Sequence, residues 1–338
     1  MALQPGSYLI VVDHEGIAGC VDECEGNFGL SVVTTTMSEA EAAPNAHRPV
    51  FFLGLPKTGS TSLHRLTRAR APVHEFLMHE QMHAVTQRVT GAWSRELFAQ
   101  FHENRQRQLF GADGRRAGID CSTLNHRFAD VILAGAPGAK IILTVREPYA
   151  WAGSFLRQLV HSAEPCFLFD EAFKANCFTW ISHPQPFPID SFESEDTVRR
   201  DAPKLARMLI AYYIKQHTHL REQLAARDGG LDKNNLLVLR TEGISDTANL
   251  ARLARFVWLA PGELAMEDGS HANRGVLSEE DNLLADIDRE WFDGLFARTA
   301  PAFLATLLGL LTIDDEAAQN FYLQAAATVE EEECIEKS

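Results

Sequence analysis

Residues 50–62 read VFFLGLPKTGSTS, and this stretch decides the fold. Its first six residues, Val50–Leu55, form a continuous apolar run, which is typical of a β-strand buried on both faces. A glycine-containing turn follows, and a helix-like stretch continues to about Arg70. Strand, tight glycine loop and helix together form the opening unit of a nucleotide-binding α/β fold.

The same alternation continues along the chain. Lys140–Val145 (KIILTV) and Asn235–Leu239 (NLLVL) predict two more buried strands, and residues 118–120 a short one. Helices are predicted at about 78–90, 92–110, 128–134, 150–161, 201–226 and 247–258. Strands that alternate with helices predict an α/β fold in which a parallel β-sheet is flanked by helices and joined by right-handed crossovers.

The loop has the GxxxxG spacing of a P-loop, from Gly54 to Gly59. Its glycines let the backbone wrap a phosphate, and the helix that follows offers N–H donors and the positive end of its dipole. Ser60 stands where a Walker A loop has lysine, and the lysine of this loop comes earlier, at Lys57. We therefore expect a P-loop-like nucleotide-binding fold, while a Walker-type NTPase is disfavoured.

Three segments resemble one family in the same order along the chain. Residues 56–62 (PKTGSTS) resemble the 5′-phosphosulfate loop of sulfotransferases that use 3′-phosphoadenosine 5′-phosphosulfate. Residues 140–154 (KIILTVREPYAWAGS) resemble the 3′-phosphate element of that family, with a strand, an Arg-x-Pro and a serine eight residues after the arginine. Residues 237–244 (LVLRTEGI) resemble its late strand and acidic turn. The resemblance covers roughly residues 48–280.

The resemblance implies a set of donor-binding residues. Lys57 would stabilise charge on the leaving oxygen, and no metal is required. Arg146 and Ser154 would bind the 3′-phosphate. Residues 271–275 (HANRG) stand where the family has a basic loop that closes on this phosphate, so Arg274 and Gly275 join the set, although the longer Lys-Gly signature of the steroid and phenol enzymes is absent. The 5′-phosphate would be held by Thr58, Gly59, Ser60, Thr61 and Ser62. The product would be adenosine 3′,5′-bisphosphate.

The general base is harder to identify. Many members of the family place a glutamate about 20 residues after the loop lysine, and residues 72–76 (PVHEF) resemble such a segment in small bacterial members. Glu75 is therefore the first candidate, with His79 and Glu80 in reserve. Other members use a histidine on the strand before the arginine-bearing strand; the corresponding region is 120–126, which adds His126.

A competing motif overlaps these candidates. Residues 79–83 (HEQMH) match HExxH, which on a helix puts two imidazoles on one face with a glutamate as the base for a zinc-bound water. A third ligand is not evident, and the nearby phosphate loop leaves little room for a protease scaffold. A P-loop-type nucleotide kinase and an inactive nucleotide-binding module are further alternatives to the sulfotransferase.

Composition limits the partners. The chain has 338 residues and a formal charge of −15, and such an acidic chain repels nucleic acid and anionic membranes. It has no apolar run of 18 residues and no basic segment followed by an apolar one at its N-terminus, so neither a membrane span nor a secretory signal is expected. Six cysteines without a CxxC pair predict free thiols in a reducing compartment, which points to the cytoplasm.

The sequence predicts one main domain with two additions. Residues 1–47 form an N-terminal appendage and linker, residues 48–310 the sulfotransferase domain, and residues 311–338 an acidic C-terminal tail. Residues 164–195, rich in Phe and Pro, are either a lid or substrate wall or an insertion with its own small core. The predicted reaction moves a sulfuryl group to a hydroxyl or amine of a small-molecule acceptor. The oligomeric state is left open.

Overall fold

The computed structural model defines which residues can be described. These are residues 48–161 except 75, 90, 112–117 and 137, then 195–225, 233–259, 263, 264, 284 and 287–300, and finally residues 316, 319, 320 and 323. The chain divides into two units, 1–42 and 43–338, and every described residue belongs to the second.

A parallel four-stranded sheet lies at the centre of this part. Its strands are β1 (Val50–Phe52), β2 (Ile119–Asp120), β3 (Lys140–Val145) and β4 (Leu236–Arg240), in the spatial order β2-β1-β3-β4. Val50 pairs with both Ile119 and Lys140 in a parallel register. The predicted α/β fold with a parallel sheet flanked by helices is therefore confirmed.

Eight α-helices of the described residues surround the sheet. They are α1 (Ser60–Leu66), α2 (Met78–Val89), α3 (Arg95–Phe110), α4 (Ala129–Gly135), α5 (Pro148–His161), α6 (Glu195–Ala225), α7 (Thr247–Phe256) and α8 (Arg289–Thr299), with 3₁₀ turns at Arg68–Arg70 and Thr123–Phe128. The stretch after the loop, expected as one helix to Arg70, is thus divided at Thr67, whose hydroxyl donates to the Leu63 carbonyl. Helix α6 begins six residues before its expected start and continues through Pro203.

The apolar core lies on both faces of the sheet, because successive side chains of a strand point in opposite directions. Phe51 and Ile141 face one layer of helices, whereas Phe52 and Ile142 face the other. The first layer contributes Phe98 of α3, Ile132 of α4, Leu156 of α5, Leu205 of α6 and Phe292 of α8. The second contributes Leu63 of α1 and Leu250, Leu253 and Phe256 of α7. Burial on both faces explains why the strands are apolar without alternation.

Strand β4 stands at one end of this strand order, and a side chain from the C-terminal part of the chain lies along it. Gln319 accepts a hydrogen bond from the Val238 N–H at 3.4 Å and donates one to the Leu236 carbonyl at 2.9 Å. It also accepts from Arg252 of α7 at 2.5 Å. Gln319 is buried, so at least this residue of the range predicted as an acidic tail belongs to the packed domain.

Candidate functional site

The strand order creates a topological switch point at the carboxyl ends of β1 and β3. The chain leaves β1 to form β2 on one side and then returns to form β3 on the other, so the connections diverge between β1 and β3. In open parallel sheets, ligands bind at the carboxyl ends of the strands at such a switch point. The phosphate loop follows β1, and Arg146 is the residue directly after β3. The fold therefore brings together the two segments that lie about 90 residues apart in sequence.

The loop has an unusual backbone. Lys57 has a φ of 66° and Gly59 a φ of 113°, both in the left-handed region that L side chains rarely adopt. Gly54 is needed for a different reason: a Cβ there would overlap the Thr144 hydroxyl and lie 2.5 Å from that of Thr58. The glycines at both ends of the GxxxxG spacing are thus required by local geometry, and the lysine between them is held in a conformation that costs energy.

Thr58 anchors the middle of the loop to the sheet. Its hydroxyl donates to the Leu55 carbonyl at 2.6 Å and accepts from the Thr144 hydroxyl of β3 at 2.8 Å. The Thr58 carbonyl accepts from the Thr241 hydroxyl, just after β4, at 2.7 Å. Thr58 is fully buried. The hydrogen bonds of the Thr58 hydroxyl therefore shape the loop.

Further contacts fix the loop from the β3–α5 segment. The Trp151 indole N–H donates to the Pro56 carbonyl at 2.8 Å. Arg146 donates to the Lys57 carbonyl at 2.9 Å, and the Arg146 carbonyl in turn accepts from the Tyr213 hydroxyl of α6 at 2.6 Å. These side chains hold the backbone at the positions where the loop turns.

Three cations converge on this loop. The pKa of Lys57 is lowered, first by burial and then by the positive charges of Arg146 and Arg157. Arg146 is 2 % exposed, and burial lowers its pKa, although Glu242 and Glu147 act in the opposite direction. The Arg146 Nε lies 3.8 Å from a Glu242 carboxylate oxygen. A cluster of positive groups in a chain of net charge −15 is an arrangement that a polyanionic ligand would stabilise.

Helix α5 carries two of the residues near this cluster. Ser154 is buried on α5, and Arg157 follows it three residues later, which places the two side chains on neighbouring positions of one helix face. Arg157 was missed in the sequence analysis. Its signal was the spacing from Ser154, since a residue one helical turn further along the 3′-phosphate element faces the same side.

The start of α1 lies beside a histidine that the sequence analysis also missed. The Nε2 of His74 is 3.2 Å from the Ser60 hydroxyl and 3.4 Å from that of Thr61. Burial, followed by the charge of His64, lowers the pKa of His74 to about 4. The first hydrogen bond of α1 joins the Leu63 N–H to the Gly59 carbonyl. The N–H groups of Ser60, Thr61 and Ser62 therefore take no part in the hydrogen bonds within this helix.

The candidates for the general base are distributed unevenly. Glu75 lies outside the described residues, as does the side chain of His79. Glu80 is half-buried in the first turn of α2. His126 is 1 % exposed, with Nδ1 2.6 Å from the Thr123 carbonyl and Nε2 3.2 Å from the Tyr212 hydroxyl. Burial, followed by Arg127, holds the pKa of His126 well below its usual value.

The segment before His126 contains Asp120, which forms a buried ion pair with Arg105. Arg105 of α3 donates to both carboxylate oxygens of Asp120, at 2.5 and 3.0 Å, and to the Ser122 hydroxyl at 2.7 Å. Burial raises the pKa of Asp120, but the charge of Arg105 and the hydrogen bonds from Arg105 and Ser122 together lower it by more. The net shift is therefore downward. Region 120–126 is thus largely occupied with internal contacts.

Several predicted features lie outside the described residues. These are Arg274 and Gly275, the 164–195 insertion, residues 1–47 and most of 311–338. Within the described residues, no group of three or more His, Cys, Asp or Glu side chains could hold a metal ion, and the HEQMH motif forms part of α2. Cys121 is a buried free thiol. None of the helices in this part is both long and apolar enough to cross a membrane.

Comparison with known proteins gives one result for the family. A family model described as a sulfotransferase domain matches residues 49–229, which contain the loop, β3 with Arg146, and α6. No curated protein matches the chain.

Proposed function

The chain belongs to the sulfotransferase-domain family, and we propose that it transfers the sulfuryl group of 3′-phosphoadenosine 5′-phosphosulfate to a hydroxyl or amine of a small-molecule acceptor. The observation that carries the proposal is the hydrogen bond from Arg146, directly after β3, to the Lys57 carbonyl of the loop at the β1/β3 switch point, with Arg157 near enough for its charge to lower the pKa of Lys57. A donor with a phosphosulfate and a separate 3′-phosphate needs cations on both sides of one cleft, and the sequence of this chain supplies them.

The two ends of the donor fit different parts of the cluster. Arg146 is a planar guanidinium that can donate two parallel hydrogen bonds to a phosphate. It follows β3, so we assign it, with Ser154, to the 3′-phosphate. The start of α1, with the hydroxyls of Ser60, Thr61 and Ser62, suits the 5′-phosphate, because N–H groups there lie outside the helix's own hydrogen bonds. Arg274 and Gly275 remain proposed ligands of the 3′-phosphate.

Lys57 is the residue that we propose to act on the leaving group. During transfer, the acceptor oxygen or nitrogen forms a bond to sulfur while the bond from sulfur to the bridging phosphate oxygen breaks, leaving adenosine 3′,5′-bisphosphate. Negative charge grows on that bridging oxygen, and an ammonium held beside it stabilises the transition state. Burial and two neighbouring arginines depress the pKa of Lys57 in the absence of ligand. A bound polyanion would offset the repulsion and favour the charged form.

The acceptor proton needs a base, for which we retain Glu75 as the first proposal, with His79, Glu80 and His126 after it. His126 is the weakest of these, because both of its ring nitrogens lie within hydrogen-bonding distance of protein atoms in a buried site. Cytoplasmic localisation belongs to the same proposal and rests on six cysteines without a CxxC pair.

Ligand-dependent stabilisation tests the donor. Adenosine 3′,5′-bisphosphate should raise the unfolding temperature, because a ligand present at a hundredfold excess over its Kd stabilises the folded state by roughly 2.7 kcal/mol. ATP, matched in concentration, serves as the control for a nucleotide kinase. Equal or greater stabilisation by ATP would contradict the sulfotransferase proposal. Transfer of labelled sulfate to a library of alcohols, phenols and amines then identifies the acceptor.

Kinetics test the base. Glu75→Gln should lower turnover by about 10²–10⁴-fold while donor binding stays nearly unchanged, since the amide keeps the size and loses the proton acceptor. Glu80→Gln and His126→Ala are matched controls. If Glu75→Gln keeps full turnover and one control loses it, the base is reassigned to that residue; if all three remain active, none of them is the base.

A further inference from the structure

A cavity lies at the opposite end of the sheet from the phosphate loop. It has a volume of about 380 Å³, is open to solvent on one side, and is lined by residues at the starts of β3 and β4, by helix α7 and by Glu316, Gln319 and Asn320. Lys140, the first residue of β3, lines it, whereas Arg146 follows the last residue of the same strand. Six residue steps at about 3.3 Å each separate the two sites by on the order of 20 Å. A ligand in this cavity is therefore not the donor bound at the loop.

The cavity is positively charged. Among the described residues that line it, Lys140, Lys233, Arg252 and Arg255 are basic and Glu316 is acidic. This concentration of positive charge occurs in a chain of net charge −15, so composition alone does not account for it. Like charges that surround one volume repel each other, and an anion between them would relieve that repulsion.

Two of the cations are held in place by the fold. Lys140 is 8 % exposed; its ammonium donates to the Phe256 carbonyl at 2.7 Å and lies 3.9 Å from the centre of the Trp258 ring. Arg252 donates to the Gln319 side chain at 2.5 Å and to the Asn249 side chain at 2.9 Å. Positions fixed in this way cost little further side-chain entropy when a ligand binds.

The other two cations stand at the entrance. Lys233 and Arg255 are exposed, and so are Asn234 and Asn320, whose amides also line the cavity. Arginine, lysine and amide donors together suit the tetrahedral oxygens of a phosphate or sulfate group. A volume of this size falls within the range of small-molecule sites.

We propose that this cavity is a second anion site, which binds a small molecule carrying a phosphate or sulfate group. Lys140 and Arg252 form its floor, and Lys233 and Arg255 close over the anion from the entrance. The site is spatially separate from the reaction proposed above, because Lys140, the first residue of the 3′-phosphate element, lies at the opposite end of β3 from Arg146, and the other described lining residues lie outside the loop and outside that element.

The test uses the full chain, saturated with adenosine 3′,5′-bisphosphate so that the loop is occupied, and inorganic pyrophosphate as the probe in isothermal titration calorimetry. The double variant Lys233→Glu with Arg255→Glu should weaken pyrophosphate binding at least tenfold. The double variant Arg107→Glu with Arg298→Glu changes the net charge equally at exposed positions on α3 and α8, and it should bind pyrophosphate as the wild type does.

Three results would overturn the proposal: no pyrophosphate binding by the wild type, equal weakening in both double variants, or an equal heat from sodium chloride at the same ionic strength. Circular dichroism verifies folding, and the single variant Arg255→Gln replaces the first double variant if that one unfolds. Failure of adenosine 3′,5′-bisphosphate to bind would count against the proposed function alone, because the comparison between the two double variants does not depend on it.

Discussion

Two almost completely buried arginines, Arg105 beside β2 and Arg146 at the end of β3, differ in what surrounds their charge. Arg105 donates to both oxygens of Asp120, which is itself fully buried. Arg146 donates to an uncharged carbonyl, that of Lys57, and its ion-pair partner Glu242 is partly exposed and 3.8 Å away. The charge of Arg105 is thus neutralised within the core, whereas the charge of Arg146 lies beside the phosphate loop. We therefore expect Arg105 to stabilise the fold and Arg146 to bind a ligand.

The largest effect is expected at Arg105. Arg105→Ala should lower the free energy of unfolding by about 3–5 kcal/mol, because the Asp120 carboxylate is left buried without its partner. Urea denaturation followed by circular dichroism measures this loss. The double variant Arg105→Met with Asp120→Leu removes both charges and should lose much less stability. Equal losses in the two variants would show that the ion pair is not the source of the effect.

Arg146 should affect binding more than folding. Arg146→Ala is expected to weaken the binding of adenosine 3′,5′-bisphosphate by roughly 1.5–3 kcal/mol through the loss of a charge-assisted contact. Adenosine 5′-monophosphate, which lacks the 3′-phosphate, should lose less, and calorimetry compares the two ligands directly. Arg107→Ala on the exposed face of α3 is the control. Equal losses for both nucleotides would remove Arg146 from the 3′-phosphate site.

Gly54 tests the packing of the phosphate loop against β3. Gly54→Ala should destabilise the protein by about 1–3 kcal/mol, because the added methyl group overlaps the Thr144 hydroxyl and crowds that of Thr58. Gly138→Ala is a matched control, since a Cβ at Gly138 meets no atom within 4 Å. Thermal unfolding compares the two variants. A harmless Gly54→Ala would mean that the hydrogen bonds between β3 and the loop are not needed for stability.

Two buried histidines predict that stability depends on pH. Burial, followed by Arg105, lowers the pKa of His102 to about 3, and burial lowers that of His217 to about 3 as well. Below pH ~6.5 these histidines therefore bind protons in the unfolded chain but not in the folded chain. The free energy of unfolding thus falls as the pH decreases from there toward 4. Each such histidine contributes at most about 1.4 kcal/mol per pH unit.

Urea midpoints at pH 7.5 and pH 5 measure this slope. His102→Phe removes one of the titrating groups and keeps an aromatic ring beside Phe51 and Phe128. Its stability should fall less steeply with decreasing pH than that of the wild type. An unchanged slope would mean that His102 does not contribute to the acid sensitivity.

The sequence predicted what depends on local patterns. The apolar runs predicted β1, β3 and β4. The spacing of the loop and the Arg-x-Pro element, together with the predicted fold, indicated that Lys57 and Arg146 lie close to each other. The sequence did not predict contacts that distant elements supply. Tyr213 reaches Arg146 from α6, and His74 approaches Ser60 across a turn. Nothing in the pattern around these two residues signals such contacts, because they follow from packing and not from periodicity.

Burial likewise separates residues that look alike in sequence. His126 and His74 are both histidines near predicted elements of the site, yet His126 lies within hydrogen-bonding distance of Thr123 and Tyr212 in the interior, while His74 is close to the loop hydroxyls. Composition cannot distinguish them, since either position is compatible with a titrating side chain. Only the three-dimensional arrangement shows which one approaches the proposed donor site.

The contact of Gln319 with β4 has a consequence for the behaviour of the protein at high concentration. Its primary amide satisfies the Val238 N–H and the Leu236 carbonyl in the way that the peptide groups of an adjacent strand would. Unpaired groups along an outer strand are templates for pairing with another molecule. Within the part of the chain that the structure describes, β4 ends the strand order, so Gln319 stands in for one residue of a neighbouring strand and opposes pairing with another molecule at that point.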